Sequence, residues 1–421
     1  MRILRSLVPA VLLTVGACKG TEPPPVIVPA AITLTRGDNQ LAIVGQAVRD
    51  TVKFRVTQAD GTPAPGVTVS FMVTAGGGAL ASTTVVTNAQ GEAVLPAFIA
   101  GPTETENRVV ATVGNFTASV KVNGTISFYN IDIVFLTAPS TAQRAAFESA
   151  TRKWRQIIQN ELTDITIDTN DPNQRCGNAT FTGLVDDIVI FADLVPIDGP
   201  GMVLGSAGPC LVRTTNNGTV ITFTIAGVMR FDTADLQTLE DRGQLNNVIL
   251  HEMGHVLGIG SLWTNKGVLD TVSVAGDPVF TGPQAAGAFL APAFGGAACN
   301  CRPVPVENGG GPGTRLSHWR ESVLTRELMT GFLNTGSNPL SALTVNSLRD
   351  IGYTVDATKA DFFTLGIAFS ALNTMVEPSL SPAPGMQSGF QLNEVEPDFD
   401  LRGLDDNGKL VRIFPRSSKK L

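Results

Sequence analysis

The segment VILHEMGHVLGIGSLW, residues 248–263, carries two signals at once. Leu245, Val248, Ile249 and Val256 form the apolar stripe of a helix packed into a core. His251 and His255 stand four residues apart, so on that helix they share one face with their imidazoles a turn apart. Two ring nitrogens at that separation can grip one metal ion. Glu252 lies one step round the helix, near enough to reach a water at such a metal without ligating it. Gly258 and Gly260 end the helix, Gly258 being suited to a left-handed C-terminal cap.

The chain has only three histidines, His251, His255 and His318. A catalytic zinc takes three protein ligands and keeps one position open, and His318 is the only remaining imidazole. The alternative is a pair of solvated or hydrogen-bonded helix histidines and a loop histidine, with no metal.

With 421 residues, the chain is long enough for two or three domains, each with its own core. Forty-three glycines, 26 prolines and only 16% charged residues fit β-rich extracellular domains better than a helical bundle. The net charge of −7, without a basic cluster, argues against a nucleic-acid partner.

Residues 1–17 read as an export signal. Arg2 and Arg5 precede an apolar run, Leu7 to Val15, too short to span a bilayer. The small residues before Cys18 resemble a bacterial lipoprotein signal. That resemblance implies a lipidated Cys18 as mature N-terminus, a membrane anchor, and a place on the bacterial surface or outer membrane. An ordinary secretory signal cut near Ala17 is the alternative. Residues 18–29, with Pro23-Pro24-Pro25, read as a semi-rigid linker.

Between residues 30 and 124 the pattern has period two. Val52, Phe54 and Val56 alternate with polar residues, as do Val67, Val69, Phe71 and Val73, then Val109, Ala111 and Val113. Turns at Asp60-Gly61, Gly76 to Gly78 and Gln90-Gly91 separate the runs, and such spacing predicts a β-sandwich. The stretches GTPAPGVTVSFMV and TNAQGEAVLPAFIAG resemble bacterial immunoglobulin-like domains of surface proteins. Nothing in them points to chemistry, so the expected role is a spacer or a weak adhesion module.

From residue 125 the order is strand, helix, strands. Ile131 to Leu136 reads as a strand; Ser140 and Gln143 have capping-box spacing before a helix with Phe147, Ala150, Trp154, Ile157 and Ile158 on one face. Further strands are expected at 187–192, 219–225 and 228–231. This predicts an α+β lobe whose sheet lies beside the histidine helix.

HEMGHVLGIGSLW, a long insertion, and then LSHWRESVLTRELMTG together resemble the leishmanolysin-type family of metzincin zinc endopeptidases. Ser261 stands where compact metzincins carry the third histidine of HExxHxxGxxH. Leishmanolysin-like enzymes bring that ligand from beyond an insertion, and His318 fits. The stretch NPLSALTVNSLRDIGYTVD resembles the closing helix and strand of the family. The resemblance covers residues 125–361. It implies a Zn2+ cofactor held by His251, His255 and His318, with Glu252 as catalytic base and Met329 in the Met-turn beneath the ligands, although an ordinary core methionine is the alternative for Met329. It also implies a protein or peptide substrate. Leishmanolysins carry many more disulfides, so their loops and cleft are not transferred.

Three imidazole nitrogens suit zinc better than magnesium or calcium. The fourth position would hold water, acidified by zinc towards pKa ~7. Residues 264–315 form a Gly-, Ala- and Pro-rich insertion, expected to border the substrate cleft. Cys176, Cys210, Cys299 and Cys301 allow three disulfide pairings in an exported chain; the expected one is Cys176 with Cys210, leaving Cys299 with Cys301. Residues 362–421 read as a C-terminal extension without assigned function.

The expectation is therefore a multidomain chain, an immunoglobulin-like β-sandwich followed by an α+β metzincin-type domain, acting as a surface-anchored zinc endopeptidase. Two alternatives stand beside it: a surface adhesin with a non-cleaving metalloprotease-like domain, and a zinc hydrolase of non-peptide bonds.

Overall fold

The computed structural model describes residues 26–201, 203–215, 218–273, 277–289, 303–334, 336–364 and 390–415. They fall into two compact units, one up to Thr125 and one from Ile126.

In the first unit, Ala31–Arg36, Lys53–Thr57 and Glu92–Val94 form one sheet. Gln40–Ile43, Phe116–Thr125, Glu106–Val113, Thr68–Ala75 and Thr84–Val86 form a second. Period-two patterning is plain in Glu106–Val113, where Asn107, Val109, Ala111 and Val113 are buried and their neighbours are not. Phe54, Val56 and Ala93 of one sheet meet Val69, Phe71, Val109 and Val122 of the other in a shared core. Each fully buried Val or Phe there contributes about 1.5–3 kcal/mol.

The second unit is built on a mixed six-stranded sheet in the order Ile131–Phe135, Ile188–Val195, Val220–Asp232, Gly205–Thr215, Leu401–Leu404 and Leu410–Phe414. Among the described residues six α-helices accompany it: α1 (Thr141–Ile157), α2 (Thr233–Asp241), α3 (Leu245–Leu257), α4 (Pro283–Phe289), α5 (Glu321–Leu324) and α6 (Ala342–Asp350). At the start of α1, Gln143 N–H donates to Ser140 Oγ and Ser140 N–H to Gln143 Oε1, a reciprocal cap. Ala146, Phe147, Ala150, Trp154 and Ile157 of α1 are buried. Trp154 Nε1–H donates to the Leu250 carbonyl at 3.1 Å, tying α1 to α3.

The runs expected at 219–225 and 228–231 are one strand, Val220–Asp232. Its small middle residues, Ala226 and Gly227, do not interrupt pairing; they make room for α3. A Cβ at Gly227 would stand 2.3 Å from Val256 Cγ1 of that helix. Nearby, Thr224 Oγ1–H donates to the Val256 carbonyl at 2.8 Å. Within the stretch read from sequence as a C-terminal extension, residues 401–404 and 410–414 add two strands to this sheet. Leu401–Leu404 pairs parallel with Gly205–Thr215 and antiparallel with Leu410–Phe414.

Candidate metal centre

Helix α3 lies across the sheet, and nothing on its site-bearing side is exposed: His251, Glu252, Met253, Gly254, His255, Val256 and Leu257 are all buried. It ends at Gly258, whose φ of 115° is the left-handed cap. His318 comes from the far side of the insertion and is fully buried. The three Nε2 atoms converge: His251 to His255 is 3.0 Å, His251 to His318 3.0 Å, and His255 to His318 3.1 Å.

The other ring nitrogen fixes each tautomer. Nδ1 of His251 faces the Leu328 carbonyl at 2.6 Å, that of His255 the Ile259 carbonyl at 2.8 Å, and that of His318 the Thr314 carbonyl at 2.9 Å. A carbonyl oxygen only accepts, so every Nδ1 donates its proton and every Nε2 presents a lone pair. Three lone pairs aimed at one point repel unless a cation lies between them. Tetrahedral ligation with zinc–nitrogen bonds of about 2.0–2.1 Å spaces the nitrogens roughly 3.3 Å apart, close to what is seen. The donor set fits zinc, and the carbonyl partners are the outer support that such ligands need.

The segment after His318 is locked beneath the helix. Met329 is buried, and a Cβ on Gly254 of α3 would stand 3.1 Å from its sulfur. Trp319 N–H donates to the Met329 carbonyl at 2.9 Å, so the third histidine and the methionine turn are adjacent. Glu327, fully buried, organises that turn. Its carboxylate accepts from Met329 N–H, Ser341 N–H, and the hydroxyls of Ser341 and Thr344. Trp263 packs against Trp319 behind the site, the ring centroids 4.6 Å apart and the planes tilted by 34°.

A fourth group meets the histidines. Glu394 reaches in from the C-terminal segment, Oε1 3.2 Å from His251 Nε2 and Oε2 3.4 Å and 3.3 Å from the Nε2 atoms of His255 and His318. The four side chains form one buried group able to hold a metal ion. Beside them runs a cleft of about 290 Å³ whose lining includes His255, Ser261, Thr264, Ser317, Glu394 and Pro397. Thr264 and Gly313 bring both ends of the insertion to its wall.

The model of the leishmanolysin family, peptidase family M8, matches residues 155–374. The chain belongs to the leishmanolysin family. A leishmanolysin homologue of Crithidia fasciculata is 30% identical over 176 residues, covering 41% of this chain and 25% of that protein. The chain thus spans about a quarter of that relative's length. Among solved structures, the D00-D0 domain of intimin is similar at 18% identity and a TM-score of 0.18, covering 23% of this chain and 44% of its own. Domains 4 and 5 of the S-layer protein SbsC are similar at 16% identity and a TM-score of 0.19, covering 23% and 53% respectively.

In this leishmanolysin-family chain the charges of the site oppose one another. Burial pushes His251 down to about 4, which keeps its imidazole neutral. For His318 burial acts the same way, but the Glu394 carboxylate and the Thr314 carbonyl leave it above the usual histidine value. Burial, and then the charge of Glu394, push the Glu252 carboxyl well above the ordinary range. Glu394 is held well below that range, because the imidazoles outweigh its burial.

The structure brings His251, Glu252, His255, His318 and Met329 into one site. Cys176 and Cys210 are joined by a disulfide elsewhere in the unit. Cys18, Cys299 and Cys301 lie outside the described residues. Sequence reasoning missed two carboxylates. Glu327 stands two residues before Met329, where burial between polar neighbours was not legible; Glu394 lies beyond the stretch matched by the family, in NEVEPDFD, and no spacing links it to the histidines.

Proposed function

We propose that this chain is a zinc-dependent endopeptidase, exported and held at the bacterial surface by a lipid on Cys18, with an immunoglobulin-like spacer before the peptidase unit. The convergence of three Nε2 lone pairs, with Glu252 on the same helix turn, carries the reading. Membership of a peptidase family supports a protein or peptide substrate. The spacer reading draws on the two sheets of the first unit sharing one core. The anchor rests on the residues around Cys18 alone.

His251, His255 and His318 would hold the zinc, and the carbonyls of Leu328, Ile259 and Thr314 keep each ring turned towards it. Bound zinc supplies Lewis acidity, which acidifies water and polarises the scissile carbonyl. Glu252 takes a proton from water as the water attacks that carbonyl, and passes it to the amine that leaves when the C–N bond breaks. Neither oxygen of Glu252 has a hydrogen-bond partner among the described residues, so no donor of the protein occupies it. Met329 forms an apolar floor and does not ligate.

The adhesin alternative is favoured by one observation, Glu394 at the fourth ligand position, because a site with four protein ligands is the structural type. The partnerless Glu252 argues the other way, since a purely structural site has no use for a buried base. Digestion of a peptide library by the zinc-loaded chain and by its Glu394→Ala variant, each with and without Glu252→Gln, separates the readings. Cleavage that Glu252→Gln lowers about 10²–10⁴-fold supports the peptidase. Equal cleavage with and without Glu252 rejects it as the base, and no cleavage by any form favours the adhesin.

A further inference from the structure

The segment carrying Glu394 crosses the site as an extended strap. Phe390–Gln391 pairs antiparallel with Phe332–Leu333, just past the methionine turn. Leu392 N–H donates to the Gly331 carbonyl at 3.1 Å. On the other side of the site, Leu204 N–H donates to the Asn393 carbonyl at 2.8 Å and Val395 N–H to the Gly205 carbonyl at 3.1 Å. Glu394 is therefore bridged in parallel to Gly205, at the start of the Gly205–Thr215 strand. The chain then joins the same edge again through Leu401–Leu404.

Two consequences follow from this placement. A peptide substrate recognised by strand addition needs a free strand edge next to the reacting centre, and near the histidines that edge is occupied by residues 393–395. A metal that activates water needs an open ligand position, and there Glu394 presents its carboxylate. The fit is built in. A Cβ on Gly313 would stand 2.2 Å from the Glu394 carbonyl oxygen, so only glycine lets the insertion press so closely on the strap. The Glu394 side chain is 5% exposed, and its Oε1 has no hydrogen-bond partner among the described residues. A buried carboxylate with one oxygen 3.2 Å from the Nε2 of His251 and the other 3.4 Å and 3.3 Å from those of His255 and His318 is a ligand arrangement.

We propose that residues 390–397 are an internal strap that keeps the peptidase latent, with Glu394 as a fourth, exchangeable metal ligand and residues 393–395 on the substrate's strand edge. This rests on the peptidase reading. Only a few backbone hydrogen bonds and one metal bond need to exchange, so a competing peptide strand and water replace the strap without any covalent step. Latency is thereby placed at the C-terminal end of the chain.

The test uses the full chain loaded with cobalt(II) or zinc, native and as Glu394→Ala and Val395→Pro. Proline at 395 removes the donor to Gly205 and leaves the carboxylate intact. Three readings are taken: the visible absorption of the cobalt form, acetohydroxamate affinity, and cleavage of a peptide library. With the strap closed in roughly 90–99% of molecules, its release raises hydroxamate affinity and cleavage about 10- to 100-fold. Glu394→Ala is expected to change the cobalt spectrum and give both increases, and Val395→Pro to give both increases to a smaller degree. An unchanged spectrum and unchanged hydroxamate affinity in Glu394→Ala overturns the strap, as does a native chain that cleaves as fast as both variants. If spectrum and affinity shift while no form cleaves any peptide, Glu394 remains the ligand and the peptidase reading falls instead.

Discussion

Nδ1 of each histidine gives its proton to a backbone carbonyl, and this leaves Nε2 able to take a cation. Removing one ring breaks the set: His318→Ala is expected to lose stoichiometric zinc on dialysis, measured by elemental analysis, while the fold of α3 persists by circular dichroism. Glu327 works one layer further out. Replacing it with Ala leaves buried N–H and O–H donors of Met329, Ser341 and Thr344 without an acceptor, and each orphan costs about 1–3 kcal/mol. Urea unfolding of Glu327→Ala should show a loss of roughly 3–5 kcal/mol, from several such orphaned donors together. Glu321 gives a pH signature. Burial raises its carboxyl to about 7, against the opposing contacts of Thr330 and Asn334. A folded pKa above the unfolded one means that stability present at low pH is lost as pH rises from the unfolded value through about 7. Glu321→Gln should therefore gain on the native chain across that window, by on the order of 1–2 kcal/mol at pH 8, read from melting temperatures between pH 4 and 8.

At the scale of elements, Asp232 shows how one side chain joins a strand, a loop and a helix. It ends Val220–Asp232, caps α2 by accepting from Ala234 N–H, and takes the N–H groups of Ile197, Asp198 and Gly199. Burial would raise its carboxyl, but these four amides prevail and bring it down to about 2. The folded pKa is depressed, so its stabilisation is whole above the ordinary carboxylate value and is lost as pH falls from about 4 to about 2. Asp232→Asn should flatten acid unfolding in that window, as followed by far-ultraviolet circular dichroism. Gly260 sets the approach of two loops. Its φ is +72°, and a Cβ there would lie 2.0 Å from the Ser317 carbonyl oxygen, next to His318. Gly260→Ala meets about 1–2 kcal/mol of left-handed strain before that clash is counted. The clash should show as weaker zinc binding in a chelator competition.

Periodicity exposed the elements whose burial is one-sided. α1, α3 and the alternating strands of the first unit were legible because each has an apolar face at its own repeat. The Gly205–Thr215 strand was not, since Pro209 removes an N–H and its pairing with Val220–Asp232 shifts register beside that proline. Nor was the unity of Val220–Asp232, whose small residues mimic a break and serve helix packing instead.

For the whole molecule, a metal bound at this site would link binding to folding. All three tryptophans, Trp154, Trp263 and Trp319, lie in the second unit, so their emission reports on that unit alone. Zinc at a thousandfold excess over its dissociation constant adds about 4 kcal/mol to a fold that binds it only when native. EDTA should lower the tryptophan-detected unfolding midpoint accordingly, and added zinc should restore it. A midpoint indifferent to EDTA would mean that the cluster holds no metal.

Short-range spacing was enough to place His251, Glu252 and His255 on one helix, and to end that helix at Gly258, because helical repeat and backbone conformation are local properties. The count of three histidines pointed to His318 as the third ligand, and likeness to a known family supported it and added Met329, which spacing alone does not join to them. Tertiary structure alone determined that Glu394 closes on the same nitrogens and that Glu327 braces the turn beneath them. Those encounters depend on how strands register along a sheet edge and how loops pack on one another, and such long-range contacts leave no repeat in the chain.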